Sequence, residues 1–454
     1  MKSLIRSALP LTWASLVRPD PGATTASRLG RALTWNVIGA LCSSASNFVL
    51  MLAAARMLGR EQFGEYGMIQ STALTVSGVA QLAIGYTATR YVSEFRASDK
   101  ARAGRVIALC SAVGIATAAI ATATLVLAAP WIATETLKAP QLTTGLVLSS
   151  ALVCFATMGG YQTGVLAGLE SYDAIARGLM LSSAMNLAAA LAGALSFGLL
   201  GLLAGTGVGA ALQWLIFRRL VVARCRENGI RISYAGMFRD RAIVFRFALP
   251  ASIGGLIAMP AAWLANACLA RQAAGFSELG LYSAAMSLRS LVLFLPLLLN
   301  QVTMSFLNHE RGRQRPGSYR RIFYYNLGIT GGLLFASVAV VSLIGPWVLA
   351  LFGRSFTAGY TVTIVVLIGT AFEGIMQAPY QLIQTHERMW LSVAFVTLPR
   401  DVSRVVLASM LAPAMGAMGL ATASAIASAI ALCATVVLAS AIGFETPAPK
   451  LACA

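Results

Sequence analysis

The sequence predicts an all-α integral membrane protein, with about twelve transmembrane helices in two six-helix bundles around a central cavity. Three observations predict it. Of the 454 residues, 58% are hydrophobic and only 11% charged, and mean hydropathy is +0.75, which lies outside the soluble globular range. The apolar residues form runs long enough for helices of about 20 residues to cross roughly 30 Å of hydrocarbon with their backbones internally bonded. A short motif also recurs: Gly59-Arg60-Glu61-Gln62-Phe63-Gly64-Glu65-Tyr66 and Gly275-Phe276-Ser277-Glu278-Leu279-Gly280-Leu281-Tyr282 share Gly-x-x-x-(Phe/Leu)-Gly-x-Tyr at an offset of 216 residues. An apolar run precedes and follows each copy, so each reads as a hairpin turn in one of two related halves. Glu170 and Glu387 close apolar runs at nearly the same offset and support the repeat.

In chain order, residues 1–30 carry Lys2, Arg6, Arg18 and Arg28 around a short apolar patch that Pro10 interrupts. With no small-residue cleavage site following, the segment reads as a cytoplasmic tail. An N-terminal bundle over 31–217 holds apolar runs at 32–55, 66–88, 106–129, 143–167, 178–197 and 199–217. A basic cytoplasmic linker, 218–246, follows. The C-terminal bundle over 247–441 holds runs at 247–270, 281–307, 323–352, 358–384, 389–411 and 414–441, and 442–454 is a cytoplasmic tail.

Orientation follows from the basic residues, because cations beside a span resist translocation. With the N-terminus inside, 26 of the 34 Lys and Arg fall on the cytoplasmic side and five on the other, while Arg289, Arg400 and Arg404 lie within spans. Both termini are then cytoplasmic, both motif turns lie outside, and the halves are parallel repeats about an axis along the membrane normal. The net charge of +18 is accounted for by these loops and not by a nucleic-acid-binding face. The seven cysteines are scattered without metal or disulfide spacing, so no metal, cofactor or disulfide framework is expected.

Five charges sit where they are costly. A charge at the bilayer centre costs about 2.5–3.5 kcal/mol on insertion scales, so each needs a partner or a wet cavity. Arg289 lies in the eighth span, Glu373 in the tenth, and Arg400, Asp401 and Arg404 in the eleventh. Arg400 and Arg404 share a helical face, and Asp401 reaches Arg404 at a spacing of three. Two readings stay open: self-neutralising pairs that pin helices together, or a cationic cavity in which Arg289, Arg400 and Arg404 bind an anion. Glu373 and Asp401 are candidates for ion coupling or for pairing with those arginines. Ser43, Ser44, Ser46 and Asn47 on the first span offer neutral polar groups, which also serve helix packing. Pro250, Pro260 and Pro296 interrupt the seventh and eighth spans as hinges or static kinks.

The stretch Ala55-Arg56-Met57-Leu58-Gly59-Arg60-Glu61-Gln62-Phe63-Gly64-Glu65-Tyr66, with Arg90-Tyr91-Val92-Ser93-Glu94 and Phe247-Ala248-Leu249-Pro250, resembles the polysaccharide and O-antigen flippases of the multidrug/oligosaccharidyl-lipid/polysaccharide exporter superfamily. That resemblance implies two bundles around a cavity in the bacterial inner membrane. It also implies alternating-access transfer of an undecaprenyl-pyrophosphate-linked, anionic glycan from the cytoplasmic to the periplasmic leaflet, for surface polysaccharides such as O-antigen or exopolysaccharide. Polysaccharide polymerase and export machinery would be partners beside the membrane lipids. Cavity arginines would meet the pyrophosphate, with Arg289, Arg400 and Arg404 as counterparts by depth.

A multidrug or cation antiporter of the same superfamily is the alternative, favouring a net acidic cavity. A major-facilitator transporter fits less well, since Asp99-Lys100-Ala101-Arg102-Ala103-Gly104-Arg105 has the wrong spacing for that family's loop motif. A membrane-embedded polymerase or glycosyltransferase would need a paired set of catalytic groups. Glu227 and Asp240 are isolated, and His309 and His386 abut helix ends, so no catalytic residue is assigned and the chain reads as a non-enzyme.

Overall fold

The computed structural model describes residues 25–81, 83–240, 249–312, 316–385 and 389–442. Most of the N-terminal tail, almost all of the C-terminal tail, the end of the linker, His386 and Glu387 lie outside the described residues. Helix α1 covers 25–58. The chain then turns at Gly59, whose φ of 73° is open to glycine at little cost. Helix α2 runs over 60–80 and continues as Ile84–Ser98. Asp99 starts α3 (Lys100–Trp131) by accepting a 2.8 Å hydrogen bond from the Arg102 amide, an N-cap. Helix α4 is Leu142–Gly159 continued by Gln162–Gly168, and α5 (172–196) and α6 (199–227) are joined at Phe197 and Gly198.

The second half repeats the plan. Helices α7 (Leu249–Ala270), α8 (Gly275–Gly312), α9 (Pro316–Phe352) and α10 (Tyr360–Thr385) lead to α11 (389–415) and α12 (417–442), which are joined at Gly416. Gly198 (φ 59°, ψ −133°) and Gly416 (φ 57°, ψ −133°) adopt one conformation at equivalent places, so the repeat extends to the backbone angles. Counted between these turns, the described helices follow the expected order of spans. Among the described residues seven helical stretches are long and apolar enough to cross a membrane, and three of them contain one of these turns. Helices α7 and α8 run on through Pro260 and Pro296 without a break.

Helices α1–α6 pack on one another, as do α7–α12, and the two bundles meet where α1 and α2 lie against α7 and α8. The distribution of core decides the shape. At the end carrying the Gly59 and Gly275 turns, one buried cluster runs through both bundles, from Leu50, Phe63 and Ile69 to Leu279, Leu288 and Phe352. At the opposite end the cores are separate: Val92, Phe95, Ile107 and Phe217 in one bundle, and Phe323, Leu382, Met376 and Val396 in the other. Among the described residues the bundles therefore share a core at one end and have separate cores at the other. Apolar side chains such as Leu127, Phe197, Phe335 and Trp347 stand outward on the helices, as lipid-facing positions require.

Candidate functional site

The repeated motif does more than turn the chain. Only Gly59 is the turn. Phe63, Gly64 and Tyr66 are already helical, and Gly275 begins α8. A Cβ on Gly64 would lie 1.8 Å from the carbonyl oxygen of Phe276, and one on Gly280 would lie 2.1 Å from that of Arg60. Arg60 and Phe276 occupy the same motif position, so the copies grip each other reciprocally. Arg60 adds hydrogen bonds from Nε to the Ser277 carbonyl (2.9 Å) and from Nη2 to Glu278 (2.5 Å). The other oxygen of Glu278 accepts from the Ala417 amide at 3.0 Å. That carboxylate thus ties α2 to the N-terminus of α12, where a negative charge is favoured. Deeper in, Trp263 Nε1 donates to Thr72 (2.8 Å) and Asn266 to Ser71 (3.2 Å), which extends the seam.

Below the seam lies a cavity of about 830 Å³ lined from α1, α2, α7, α8, α10, α11 and α12. Arg289, Glu373 and Arg404 line it. Arg289 Nη2 donates to Glu373 Oε2 at 2.5 Å, joining α8 to α10. Arg400 does not face the cavity. Its guanidinium chelates Asp401 through Nε–Oδ1 at 2.8 Å and Nη2–Oδ2 at 3.0 Å, and Asp401 is buried. Asp401 therefore pairs with its chain neighbour instead of with Arg404, which helical spacing also lets it reach. A π-turn at Val393–Thr397, just before these residues, rotates the faces that Arg400, Asp401 and Arg404 present together, without changing their spacing from one another. Arg404 is left without an acid: its buried Nε has no hydrogen-bond partner among the described residues. The cavity wall carries one more positive than negative charge.

Of the polar residues expected on the first span, Ser44 and Asn47 line the cavity. Sequence reasoning missed Gln70 and Ser71 on α2, Ser283 and Ser287 on α8, and Ser424 and Ser428 on α12. Their signal was polar side chains four apart on otherwise apolar helices, one face per helix. The linker acid is also paired: Asp240 is buried between Arg102 (2.9 Å) and Arg105 (3.4 Å). Among the described residues no cluster of three or more His, Cys, Asp or Glu could hold a metal.

This architecture is similar to that of several solved transporters. An inward-facing multidrug resistance MATE family transporter of the MOP superfamily superposes with a TM-score of 0.71 at 16% identity, covering 88% of this chain and 95% of that one. The eukaryotic MATE transporter AtDTX14 gives 0.68 at 14% identity, with 92% and 97% covered. A MOP superfamily transporter from Pyrococcus furiosus, described as having a binding pocket of reverse polarity, gives 0.63 at 16% identity, with 95% and 98% covered. No match was found among curated protein sequences. The described apolar helices fit a multi-pass membrane protein, and the chain shares the fold of these transporters. Residues 29–305 match the family model described as polysaccharide biosynthesis protein, and the chain belongs to that family.

Proposed function

We propose that this chain is a lipid-linked oligosaccharide flippase. It moves an undecaprenyl-pyrophosphate-linked glycan from the cytoplasmic to the periplasmic leaflet of a bacterial inner membrane by alternating access. The observation that carries this reading is the surplus cation in the cavity, Arg404, with a buried Nε–H that has no partner among the described residues. A buried N–H of a cation left unsatisfied is costly, and an anionic oxygen is the acceptor that best relieves it. Family membership in polysaccharide biosynthesis supports a glycan as the substrate class.

In this reading both termini and the basic connections are cytoplasmic, so the sealed end is periplasmic and the cavity is loaded from the cytoplasmic side. The moving bodies are the bundles at 31–217 and 247–441, and the linker 218–246 joins them. Polymerase and export machinery take the glycan on the far side. The test is the lipid-linked glycan pool of cells lacking the protein, sampled in each leaflet. Accumulation on the cytoplasmic side, with synthesis intact and surface polymer lost, is the expected result. Unchanged pools would overturn it in favour of a multidrug or cation antiporter. That second reading draws on Glu373 in the cavity wall and on the MATE neighbours, and fluorescent cation efflux would measure it.

A further inference from the structure

We propose that the two walls of the cavity read different parts of one substrate: Arg289 and Arg404 on the C-terminal bundle hold the phosphates, while Asn47 on α1 and Gln70 on α2 hold the first sugar. This rests on the flippase reading and assigns each part of that substrate to a bundle.

The unengaged polar groups carry the argument. Among the described residues the α1–α2 wall of the cavity presents no charged side chain. Asn47 is exposed to the cavity and Gln70 half-buried, and neither carboxamide has a partner among the described residues. Several other polar side chains around them are occupied, while the small hydroxyls of Ser44, Thr75 and Ser283 are open alongside the two carboxamides. Ser71 accepts from Asn266, Ser287 and Ser290 donate to backbone carbonyls on their own helix, and the Tyr282 and Ser424 hydroxyls lie 3.3 Å apart. The carboxamides of Asn47 and Gln70 and the guanidinium of Arg404 are left open, two chemistries on different bundles, and Arg289, which Glu373 engages through one nitrogen, stands beside Arg404.

A carboxamide offers a donor and an acceptor side by side, which matches neighbouring sugar hydroxyls that each both donate and accept. It has no charge with which to compete with guanidinium for phosphate. A site that hydrogen-bonds a ligand group also rejects ligands lacking it, because its own polar atoms are then stranded. The cavity of about 830 Å³ is of the size that encloses a drug-sized ligand, a phosphorylated sugar head and not a polyprenyl chain.

The experiment uses the full chain in detergent and two probes: a polyprenyl pyrophosphate bearing one N-acetylhexosamine, and the same lipid with a methyl cap in place of the sugar, which keeps the charge. The wild type is expected to bind the sugar lipid about tenfold more tightly, as a net gain of about 1.4 kcal/mol from the two carboxamides requires. Asn47→Leu with Gln70→Met should erase that preference and leave capped-lipid affinity unchanged. Arg404→Gln should weaken both lipids alike. Retained preference in the double variant, or equal losses for both lipids, would overturn the proposal. A double variant that fails to fold also loses both, so Asn47→Ala and Gln70→Ala are measured singly. At least one must show a loss confined to the sugar lipid, and its absence from both overturns the assignment. Equal wild-type binding of the two lipids would reject the sugar subsite and leave the flippase reading standing. Binding of neither would reject the flippase reading itself.

Discussion

The two bundles share a backbone plan and differ in what they place inside it. Helices α5–α6 and α11–α12 turn at Gly198 and Gly416 with nearly the same angles, and the motif of α2 recurs in α8. Yet every charged side chain lining the cavity comes from α8, α10 or α11. A repeated fold therefore does not repeat a site: packing constrains both copies, whereas a ligand needs its charge only once. Holding the charge on one bundle also means that no ion pair crosses the cavity, so the bundles can separate at that level without exposing a stranded charge.

The strongest way to break this comparison is to move the charge. Arg404→Ala should lower glycan export at least about tenfold with membrane insertion unchanged, because it removes the cavity cation that has no ion-pair partner among the described residues. Adding Gln70→Arg to that variant puts the cation back on the wrong bundle and should not restore export. Restored export in a cell-surface polymer assay would show that only the cavity's net charge matters.

Next in size is the seam. Gly64→Ala must push its methyl into the Phe276 backbone, an overpacking that costs about 1–3 kcal/mol. It should open the sealed end, and a cysteine placed at Ser283 would then react faster with an impermeant maleimide. Gly332→Ala, where an added Cβ meets nothing within 4 Å, is the matched control and should change neither stability nor labelling. Glu278→Gln sits in the same seam and should have a smaller effect, about 1 kcal/mol or less. It loses a half-exposed ion pair with Arg60 and weakens the contact with the α12 N-terminus, but keeps its shape.

The smallest effect on transport is expected at Arg400 and Asp401. Neutralising either alone strands its buried partner and should reduce the amount of folded protein. Arg400→Met with Asp401→Leu should recover most of it and export normally, the signature of a structural pair in a double-mutant cycle.

Much of the fold was legible in the sequence because lipid imposes a blunt rule: an apolar run of sufficient length must be helical. The turns at Gly59 and Gly198 were visible as breaks between runs, whereas Gly416 falls inside the run read at 414–441, a few residues past the expected break. The site was legible only in part. Arg289, Glu373 and Arg404 were recognisable as intramembrane charges, but their pairing was not. Helical spacing allows Asp401 to reach Arg404, but it equally leaves Arg400 beside it, and the π-turn at Val393–Thr397 that rotates this whole segment has no simple sequence signal. Asn47 and Gln70 were harder still, because a neutral amide in a span serves packing as readily as binding. The seam was hidden for another reason. The motif reads locally as two turns, and its function as a contact between them exists only once both halves are in place.

That contact carries a further consequence. Gly64 meets Phe276 as Gly280 meets Arg60, one patch on each half touching the other's equivalent. This is the geometry of an isologous interface, the kind that joins identical subunits about a two-fold axis. A chain of half this length with one copy of the motif would present both members of the contact, so two such chains would dock as a symmetric dimer. The long chain behaves as that dimer with its subunits covalently linked. A substitution at either glycine would then constrain the other copy, and the two motifs can diverge only together.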